Sequence, residues 1–425
     1  MKTLINIWKS PDLRNKILFT LFIIVVFRII AHIPLPAVDV NALRNVFSSS
    51  QIFQLLDIFS GGTLFNFSIA TLGLNPYINA SIIMQLLTNV IPSLEELQKE
   101  GEYGRRKINQ YTRFLTLPLA FVQSWGILIL FRRSGSGILT GLSPLELLTI
   151  VVVMTAGTML LMWLGEIITE YGIGNGISIL IFAGILARLP VTLGQTATIF
   201  TAENAFNIAA IAFFAILVIV GVVIINEAHR RVPVQYARRV RGGRTYGGNT
   251  THLPVKINQA GVIPIIFAVS IILLPGMLAT FFATSPNPNV ANIAVAVRDF
   301  FNNPLYYSSL YFILVLVFTF FYTAVTFQPS KIADDLRKYG GFIPGIRPGV
   351  ATTDFLAYII NRITLFGGLF LGIIAILPFI TTEITNISTI AIGGTGLLIV
   401  VSVVLETSKQ LESQLIMKSY EGFLR

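Results

Sequence analysis

The 425-residue sequence contains no cysteine and only three histidines, His32, His229 and His252. The absence of cysteine excludes disulfide bonds, thiolate metal sites and thiol chemistry. The histidines are too scattered in the sequence to predict a metal site. A Walker-type loop, G-x-x-x-x-G-K-[ST], is also missing, so energy from nucleotide hydrolysis would have to come from a partner. We therefore predict no enzyme, no cofactor and no metal site.

Charge is scarce as well. Only 12% of the residues are charged, 54% are hydrophobic, and the mean hydropathy is +0.76. This composition is typical of a polytopic membrane protein. A helix needs about 20 apolar residues to cross the hydrocarbon core. Ten apolar runs of crossing length occur, at positions 17–36, 75–91, 114–131, 147–166, 173–190, 205–225, 260–282, 306–327, 355–380 and 387–405. We predict an all-α polytopic membrane protein with ten transmembrane helices.

The positive charges predict the orientation of these helices. With both termini on the cytoplasmic side, 24 of the 30 lysines and arginines lie in cytoplasmic segments and 5 lie in outer segments. This bias agrees with the positive-inside rule. The sequence therefore predicts a multi-pass protein whose N- and C-termini are both cytoplasmic.

One uncharged stretch cannot be a single membrane helix. Residues 58–94 contain no charged side chain, yet glycines, asparagines and a proline interrupt the middle of the stretch. Backbone that leaves a helix at membrane depth is tolerated only inside protein or beside a water-filled cavity. We therefore expect a piece that enters and turns within the membrane at about 59–72, followed by a crossing helix at about 75–91. Such a segment suggests a cavity or pore.

The ten spans divide into five and five around a linker at 191–204. We predict an N-terminal half, residues 1–195, and a C-terminal half, residues 196–425, because internal repeats with a site at their interface are common in transport proteins. The second span of each half has a related beginning, LNPYINASII and INQAGVIPII. An alternative interpretation is that asparagine and proline are ordinary residues at helix starts.

Two cytoplasmic segments, residues 227–258 and 328–354, are longer than simple connections. The first carries six arginines, whose partners could be RNA phosphates, an acidic protein face or anionic lipids. Alternatively, these arginines only fix the topology of the chain, as the positive-inside rule describes. The second presents Arg347 within a turn rich in glycine and proline. We predict that both segments are docking surfaces.

The membrane spans offer little chemistry. Arg28 and Glu166 are the ionisable candidates at membrane depth, and we interpret both as structural. A pore wall of aliphatic side chains would dewet and block ions, yet could deform around a polymer of varied side chains. A secondary transporter of a small solute is the main alternative, but the sequence offers no charged site at the midplane. An intramembrane enzyme would need a nucleophile and base or metal ligands in the spans.

Several long motifs resemble the SecY family of protein-conducting channel subunits. They are SGGTLFNFSIATLGLNPYINASIIMQLL, KEGEYGRRKINQYTR, GTMLLMWLGEIITEYGIGNGISILIFAGI, THLPVKINQAGVIPIIFA, GFIPGIRPG and GGTGLLIVV, and the similarity runs in order from about residue 18 to 415. The resemblance implies two pseudo-symmetric five-helix halves around a central pore. It also implies a channel that translocates unfolded secretory polypeptides and releases transmembrane segments sideways into the bilayer.

The resemblance also implies roles for individual residues. The segment 57–72 would be a plug half-helix that closes the resting pore, and it includes Gly61, Gly62, Thr63, Leu64, Phe65 and Asn66. The pore ring would consist of Leu74, Ile78, Ile177, Ile181, Ile266 and Ile399. The lateral gate would lie between spans 2 and 3 on one side and spans 7 and 8 on the other, with Asn79, Gln85, Gln123 and Asn258 in the gate region.

Partners follow from the same resemblance. Arg231, Arg239, Arg244 and Arg347 would contact the ribosome and the SecA motor ATPase. The channel would assemble with SecE and SecG subunits, receive signal sequences and unfolded precursor proteins, and contact membrane lipids. No small-molecule substrate is implied. The expected location is the plasma or inner membrane of a cell.

Overall fold

The computed structural model describes residues 10–35, 63–64, 66–133, 143–198, 205–236, 239–241, 244–246, 250–283, 287–385 and 393–423. Most of these residues are helical. The helices up to residue 198 are α1 Pro11–His32, α2 Asn75–Val90, α3 Pro92–Lys99, α4 Glu102–Arg133, α5 Pro144–Tyr171 and α6 Gly176–Thr198. The later helices are α7 Ala205–Glu227, α8 Ile263–Phe282, α9 Pro288–Asn302, α10 Pro304–Thr326, α11 Pro329–Lys338, α12 Val350–Thr385 and α13 Gly393–Phe423.

Each of the ten predicted spans falls on one helix, in the order α1, α2, α4, α5, α6, α7, α8, α10, α12 and α13. Within the described part of the chain, five helical stretches are long and apolar enough by themselves to cross a membrane: Glu102–Ile129, Pro144–Tyr171, Ala205–Glu227, Pro304–Lys338 and Val350–Thr381. The pair α2 and α3 meets the same test only when taken together. Many apolar side chains on these helices are exposed, as expected for surfaces that contact lipid tails.

Helix ends follow local sequence signals. α5 begins with a capping box, in which the Ser143 hydroxyl accepts from the Glu146 backbone N–H and the Glu146 carboxylate accepts from the Ser143 backbone N–H. α2 and α3 meet at a bend of 99°. Ile91 lies at this bend in an extended conformation, as expected for a residue that precedes a proline. α3 therefore does not continue in the direction of α2 across the membrane.

The segment between α7 and α8 forms strands, which the sequence analysis did not predict. They are β1 His229–Tyr236, β2 Arg239–Arg241, β3 Arg244–Tyr246 and β4 Thr250–Lys256. β1 pairs with β4, and β5 Gly341–Phe342 pairs with the other edge of β1, so the sheet order is β4-β1-β5. Val232 and Val234 are buried while their neighbours are exposed, the alternation typical of a strand with one covered face.

Three apolar clusters stabilise the described structure. The main cluster lies among the membrane helices and includes residues of α1, α2, α5, α6, α7, α8, α10, α12 and α13. A second cluster joins the end of α1 and residues 64–72 to α4 and α5. A third lies beneath the sheet and joins β1 and β4 to α12. Among the described residues, the main helix contacts between the two halves are those of α6 with α13 and of α8 with α2 and α4.

Candidate functional site

The six predicted pore-ring side chains belong to the main apolar cluster or pack against it. Ile78, Ile181 and Ile399 are buried, with at most 8% of each residue exposed. Ile177 and Ile266 are half-buried and pack against the same cluster. We call these residues, together with buried Leu74, the collar: Leu74, Ile78, Ile177, Ile181, Ile266 and Ile399. They come from α6, α8, α13 and the start of α2, so the structure gathers in one cluster side chains that are as much as 325 positions apart.

The collar contains no charged or hydrogen-bonding side chain. An aliphatic constriction offers neither charge nor fixed acceptors to replace the hydration shell of an ion. A constriction built from such side chains would exclude ions by dewetting. The collar also has no fixed polar group that would select one peptide side chain over another.

Only part of the plug segment is described, namely Thr63, Leu64 and residues from Asn66 onward; Gly61, Gly62 and Phe65 lie outside the described residues. The described part of this segment, residues 66–72, forms turns and a β-bridge between Ser68 and Pro34 and is not helical, whereas residues 57–62 and 65 of the predicted half-helix lie outside the described residues. Phe67 has a positive φ of 42°, which is uncommon for a residue with a side chain. The helix α2 begins only at Asn75.

The turns at residues 66–72, which we call the anchor segment, are fixed to the end of α1. The Leu35 N–H donates to the Phe67 carbonyl at 2.9 Å, and the Ile69 N–H donates to the Ile33 carbonyl at 3.1 Å. Ser68 is buried, and its hydroxyl donates to the Thr63 carbonyl. These bonds satisfy backbone groups that could not be exposed to lipid.

Side chains of the anchor segment pack on α4 and α5. Phe67 is fully buried and meets Phe131 edge to face, with ring centroids 5.6 Å apart. Gly157 of α5 lies so close to the segment that a Cβ atom there would be 2.0 Å from the Ile69 carbonyl oxygen. Leu64 and Leu72 belong to the same second cluster. The later part of the predicted plug segment is therefore held beside the collar by tight packing.

The four predicted gate residues do not share one environment. Asn79, Gln85 and Gln123 are half-buried, whereas Asn258 is 7% exposed. Gln85 lines a cavity of about 730 Å³ between α2, α3 and α4 on one side and α10 and α11 on the other. We call it the gate cavity. Its lining mixes apolar surface, including Val325 and Ile332, with the polar or charged residues Gln85, Asn89, Glu95, Gln98, Lys99, Arg105, Thr326, Gln328, Lys331 and Asp335.

Asn258 instead takes part in a hydrogen-bond network within the second half. Its side-chain amide donates to the Asn226 side-chain oxygen at 2.8 Å and to the Gly261 carbonyl at 3.2 Å. The Asn226 amide in turn donates to the Ser402 hydroxyl at 2.8 Å. We call Asn226, Asn258 and Ser402 the amide network. It ties α7 and α13 to the residues that lead into α8.

The two predicted docking segments form one structure. β5 of the second segment pairs with β1 of the first, matching Gln235 with Phe342 and Tyr236 with Gly341. A side-chain atom at Gly341 would lie 3.1 Å from the Tyr236 ring, so a glycine allows this close approach. We call the sheet β4-β1-β5, with α11 and the turn 340–349, the strand platform.

The strand platform presents two of the four predicted docking arginines. Arg231 on β1 and Arg347 in the turn are both exposed. Gly345 and Gly349 flank Arg347 with φ values of 81° and 109°, and the Thr352 hydroxyl donates to the Arg347 carbonyl at 2.9 Å. Arg239 and Arg244 belong to the separate hairpin β2–β3, and their side chains lie outside the description.

Glu166 has a structural partner that the sequence did not identify. The Arg113 side chain donates to the Glu166 carboxylate at 2.6 Å and thereby joins α4 to α5. A second ion pair, Lys409 with Glu227 at 2.7 Å, joins α13 to α7. Both pairs are partly exposed, so they help to fix helix positions but contribute little stability each.

Comparison with known proteins identifies the family. The family model for SecY matches residues 68–408. The chain belongs to the SecY family. The protein translocase subunit SecY of Thermus thermophilus is 47% identical over 97% of this chain and 95% of that protein. The subunit of the same name from Mycobacterium tuberculosis is 44% identical, and the similarity covers the whole of both chains.

Solved structures show the same fold as this SecY family member. A structure described as that of a protein conducting channel has a TM-score of 0.65 at 19% identity, covering 94% of this chain and 92% of the other. Sec61 in the canine ribosome-channel complex from the endoplasmic reticulum has a TM-score of 0.62 at 19% identity over the same shares of the chains. At these identities the similarity concerns the fold.

Proposed function

We propose that this chain is the central subunit of a channel that translocates unfolded secretory polypeptides across the membrane and releases transmembrane segments into the bilayer. The collar carries this proposal. Four helices from both halves contribute aliphatic side chains to one central, uncharged cluster. A solute transporter would instead need polar or ionisable groups that recognise its substrate at the site.

The contacts between the halves support a sideways exit. The N-terminal half would be residues 1–195 and the C-terminal half residues 196–425, with α2 and α4 facing α8 across one contact. The gate cavity continues this boundary between α2–α4 and α10–α11. An apolar segment that reached the boundary would gain about 25 cal/mol for each Å² of apolar surface moved from water into lipid. Asn79, Gln85 and Gln123 would line this route, and Asn258 would act from within the second half.

The strand platform would be the docking surface for the ribosome and for a SecA motor. Arg231 and Arg347 are exposed on it, and the structural neighbours include channels bound to ribosomes. SecE and SecG would complete the membrane part of the complex. The strand platform would lie on the cytoplasmic side of the plasma membrane together with both termini, because the lysines and arginines concentrate on that side.

Disulfide cross-linking would test the central proposal, because the chain has no cysteine of its own. An Ile181→Cys variant, reconstituted with SecE, SecA and ATP, should form a disulfide with a single cysteine in a precursor that is stalled during translocation. Leu186→Cys is the matched control, since Leu186 lies on the same helix and is 44% exposed. Equal cross-linking at both positions, or none at Ile181→Cys despite stalled precursor, would refute passage through the collar.

A further inference from the structure

The helix α9 has an apolar face that the protein covers only in part. Ala294 and Phe301 are buried against the bundle, with 6% and 9% of each residue exposed. Val290, Ile293 and Phe300 lie next to them on the same side of the helix, because residues three, seven and ten positions apart share a face. These three side chains are 38%, 68% and 42% exposed. Within the described residues, protein therefore covers the apolar stripe only in part.

The position of Phe301 gives the depth of the helix. Phe301 lies against Gly276 of α8, with its Cβ atom 3.8 Å from the place where a Cβ atom would stand on the glycine. Gly276 is six residues before the end of α8 at Phe282, or about 9 Å along the helix at 1.5 Å per residue. α8 has 20 residues, about the length needed to cross the hydrocarbon core. The end of α9 therefore lies below the membrane surface.

The C-terminal end of α9 is held at this level by a membrane helix. α10 begins at Pro304, after the single residue Asn303, and α9 begins six residues after the end of α8. α9 lies at the end of the bundle opposite the strand platform, because the strands enter α8 at its other end. The exposed ring of Tyr306 stacks on the exposed ring of Phe300 at 5.2 Å, which continues the apolar surface of α9 onto α10.

The polar side of α9 completes an interfacial pattern. Asn292 and Asp299 are exposed and lie away from the apolar stripe, and Asp299 accepts from the Arg298 guanidinium at 3.1 Å. An amphipathic helix of this kind lies at the boundary between headgroups and acyl chains with its apolar side buried. Aromatic rings such as that of Tyr306 are also frequent at this depth.

We propose that α9 is a lipid-binding helix, which lies in the headgroup boundary of the leaflet opposite the strand platform and inserts Val290, Ile293 and Phe300 among the acyl chains. The lipid surface thereby covers the part of the stripe that the bundle leaves open. Because α9 connects α8 with α10, this anchorage holds the neighbouring ends of these two helices at one depth.

Spin labelling of single cysteines tests this inference without any background substitution, since the native chain has no cysteine. A nitroxide on Ile293→Cys of the full chain in liposomes should collide often with oxygen, which concentrates in lipid, and rarely with a water-soluble nickel chelate. The matched control is Asn292→Cys, the neighbouring residue on the polar side. We expect the ratio of oxygen to nickel accessibility to be several-fold higher at Ile293→Cys, and Val290→Cys should repeat that result.

Two results would overturn the inference. A ratio at Ile293→Cys and Val290→Cys no higher than that at Asn292→Cys would mean that the apolar stripe faces water. Low accessibility to both reagents at the two apolar positions would mean that protein, such as a second copy or another subunit, covers the stripe.

Discussion

Gly73 and Gly261 hold equivalent positions before two helices of the collar. Each has a positive φ, 57° and 63°, and each stands two residues before the first residue of its helix, α2 or α8. The residues that follow them have the same φ of −95°, and a proline occupies the first turn of both helices. A residue with a Cβ atom is disfavoured at such φ values. Both helices therefore begin with the same Gly-x-x-Pro arrangement, which supports the proposal that the two halves are an internal repeat.

The tight contact at Gly157 should be essential for the anchor segment. Gly157→Ala would place a Cβ atom 2.0 Å from the Ile69 carbonyl oxygen, so the segment has to move away from α5. Overpacking of this kind costs about 1–3 kcal/mol of unfolding free energy. We expect a lower unfolding temperature in detergent and a raised ion leak in liposomes. Gly126→Ala on α4 is the control, since no atom lies within 4 Å of its Cβ position, and it should leave both measurements unchanged or raise stability slightly.

Deleting residues 61–66 should leave a channel that leaks ions but still folds. The deletion removes six residues of the proposed plug, including Thr63, whose carbonyl accepts from the Ser68 hydroxyl, and Asn66 at the start of the anchor segment. It keeps Phe67 and the packing of that ring on Phe131. Conductance of planar bilayers without precursor would report the leak. Leu64→Ala separates the two effects, because it removes a buried side chain while keeping the plug backbone. Resting conductance that does not change on deletion would contradict the plug role.

Polarity at the collar should control the resting seal. Ile399 is 1% exposed within the collar cluster, and Ile399→Ser would bring a hydroxyl group and space for water to the constriction. We expect a several-fold increase in ion efflux from liposomes. Ile399→Val, which keeps the site apolar, should change efflux little. A constriction elsewhere would be indicated if the serine variant sealed as well as the native protein.

Reversing the charge at Arg347 should impair motor-driven export. Arg347 is exposed in its glycine-bounded turn, so Arg347→Glu should leave the protein folded and inserted. SecA-dependent protease protection of a precursor in liposomes measures the effect. Arg106→Glu is the control, since Arg106 is an exposed arginine of α4, outside the strand platform. Equal export by the two variants would show that Arg347 has no special part in docking.

The amide network should stabilise the start of α8. Asn258→Ala leaves the Asn226 side-chain oxygen and the Gly261 carbonyl without their donor. Loss of a partner by a buried polar group costs about 1–3 kcal/mol. Urea unfolding of Asn258→Ala, of Asn226→Ala and of the double variant would give the interaction free energy between the two side chains. We expect the double variant to lose less unfolding free energy than the two single variants lose together. Strictly additive losses would contradict a shared network.

Much of the fold follows from local sequence. The ten spans were predicted from apolar runs of roughly crossing length, and each run falls on a helix, although only five described stretches are long and apolar enough by themselves to cross a membrane. The predicted orientation came from the distribution of lysines and arginines along the sequence. The strands of 229–256 were missed because the arginines were interpreted only as charge. The run Val-Pro-Val in HRRVPVQY also hides the alternation of buried and exposed residues that β1 shows. The plug segment was expected to be a half-helix. Its described turns depend on hydrogen bonds to Ile33 and Leu35, which no local pattern in residues 57–72 reveals.

The sequence by itself determined the class of protein, the positions of the membrane helices and the aliphatic character of the collar, since these depend on composition and on runs of neighbouring residues. Only the tertiary structure decided that the two docking segments share one sheet, that Asn258 bonds to Asn226 and that α9 lies at the depth of Gly276. Each of these contacts joins residues 25 or more positions apart. The physical reason is that such contacts form only when helices and strands pack, and hydrophobic periodicity along one segment does not specify which partner that segment meets.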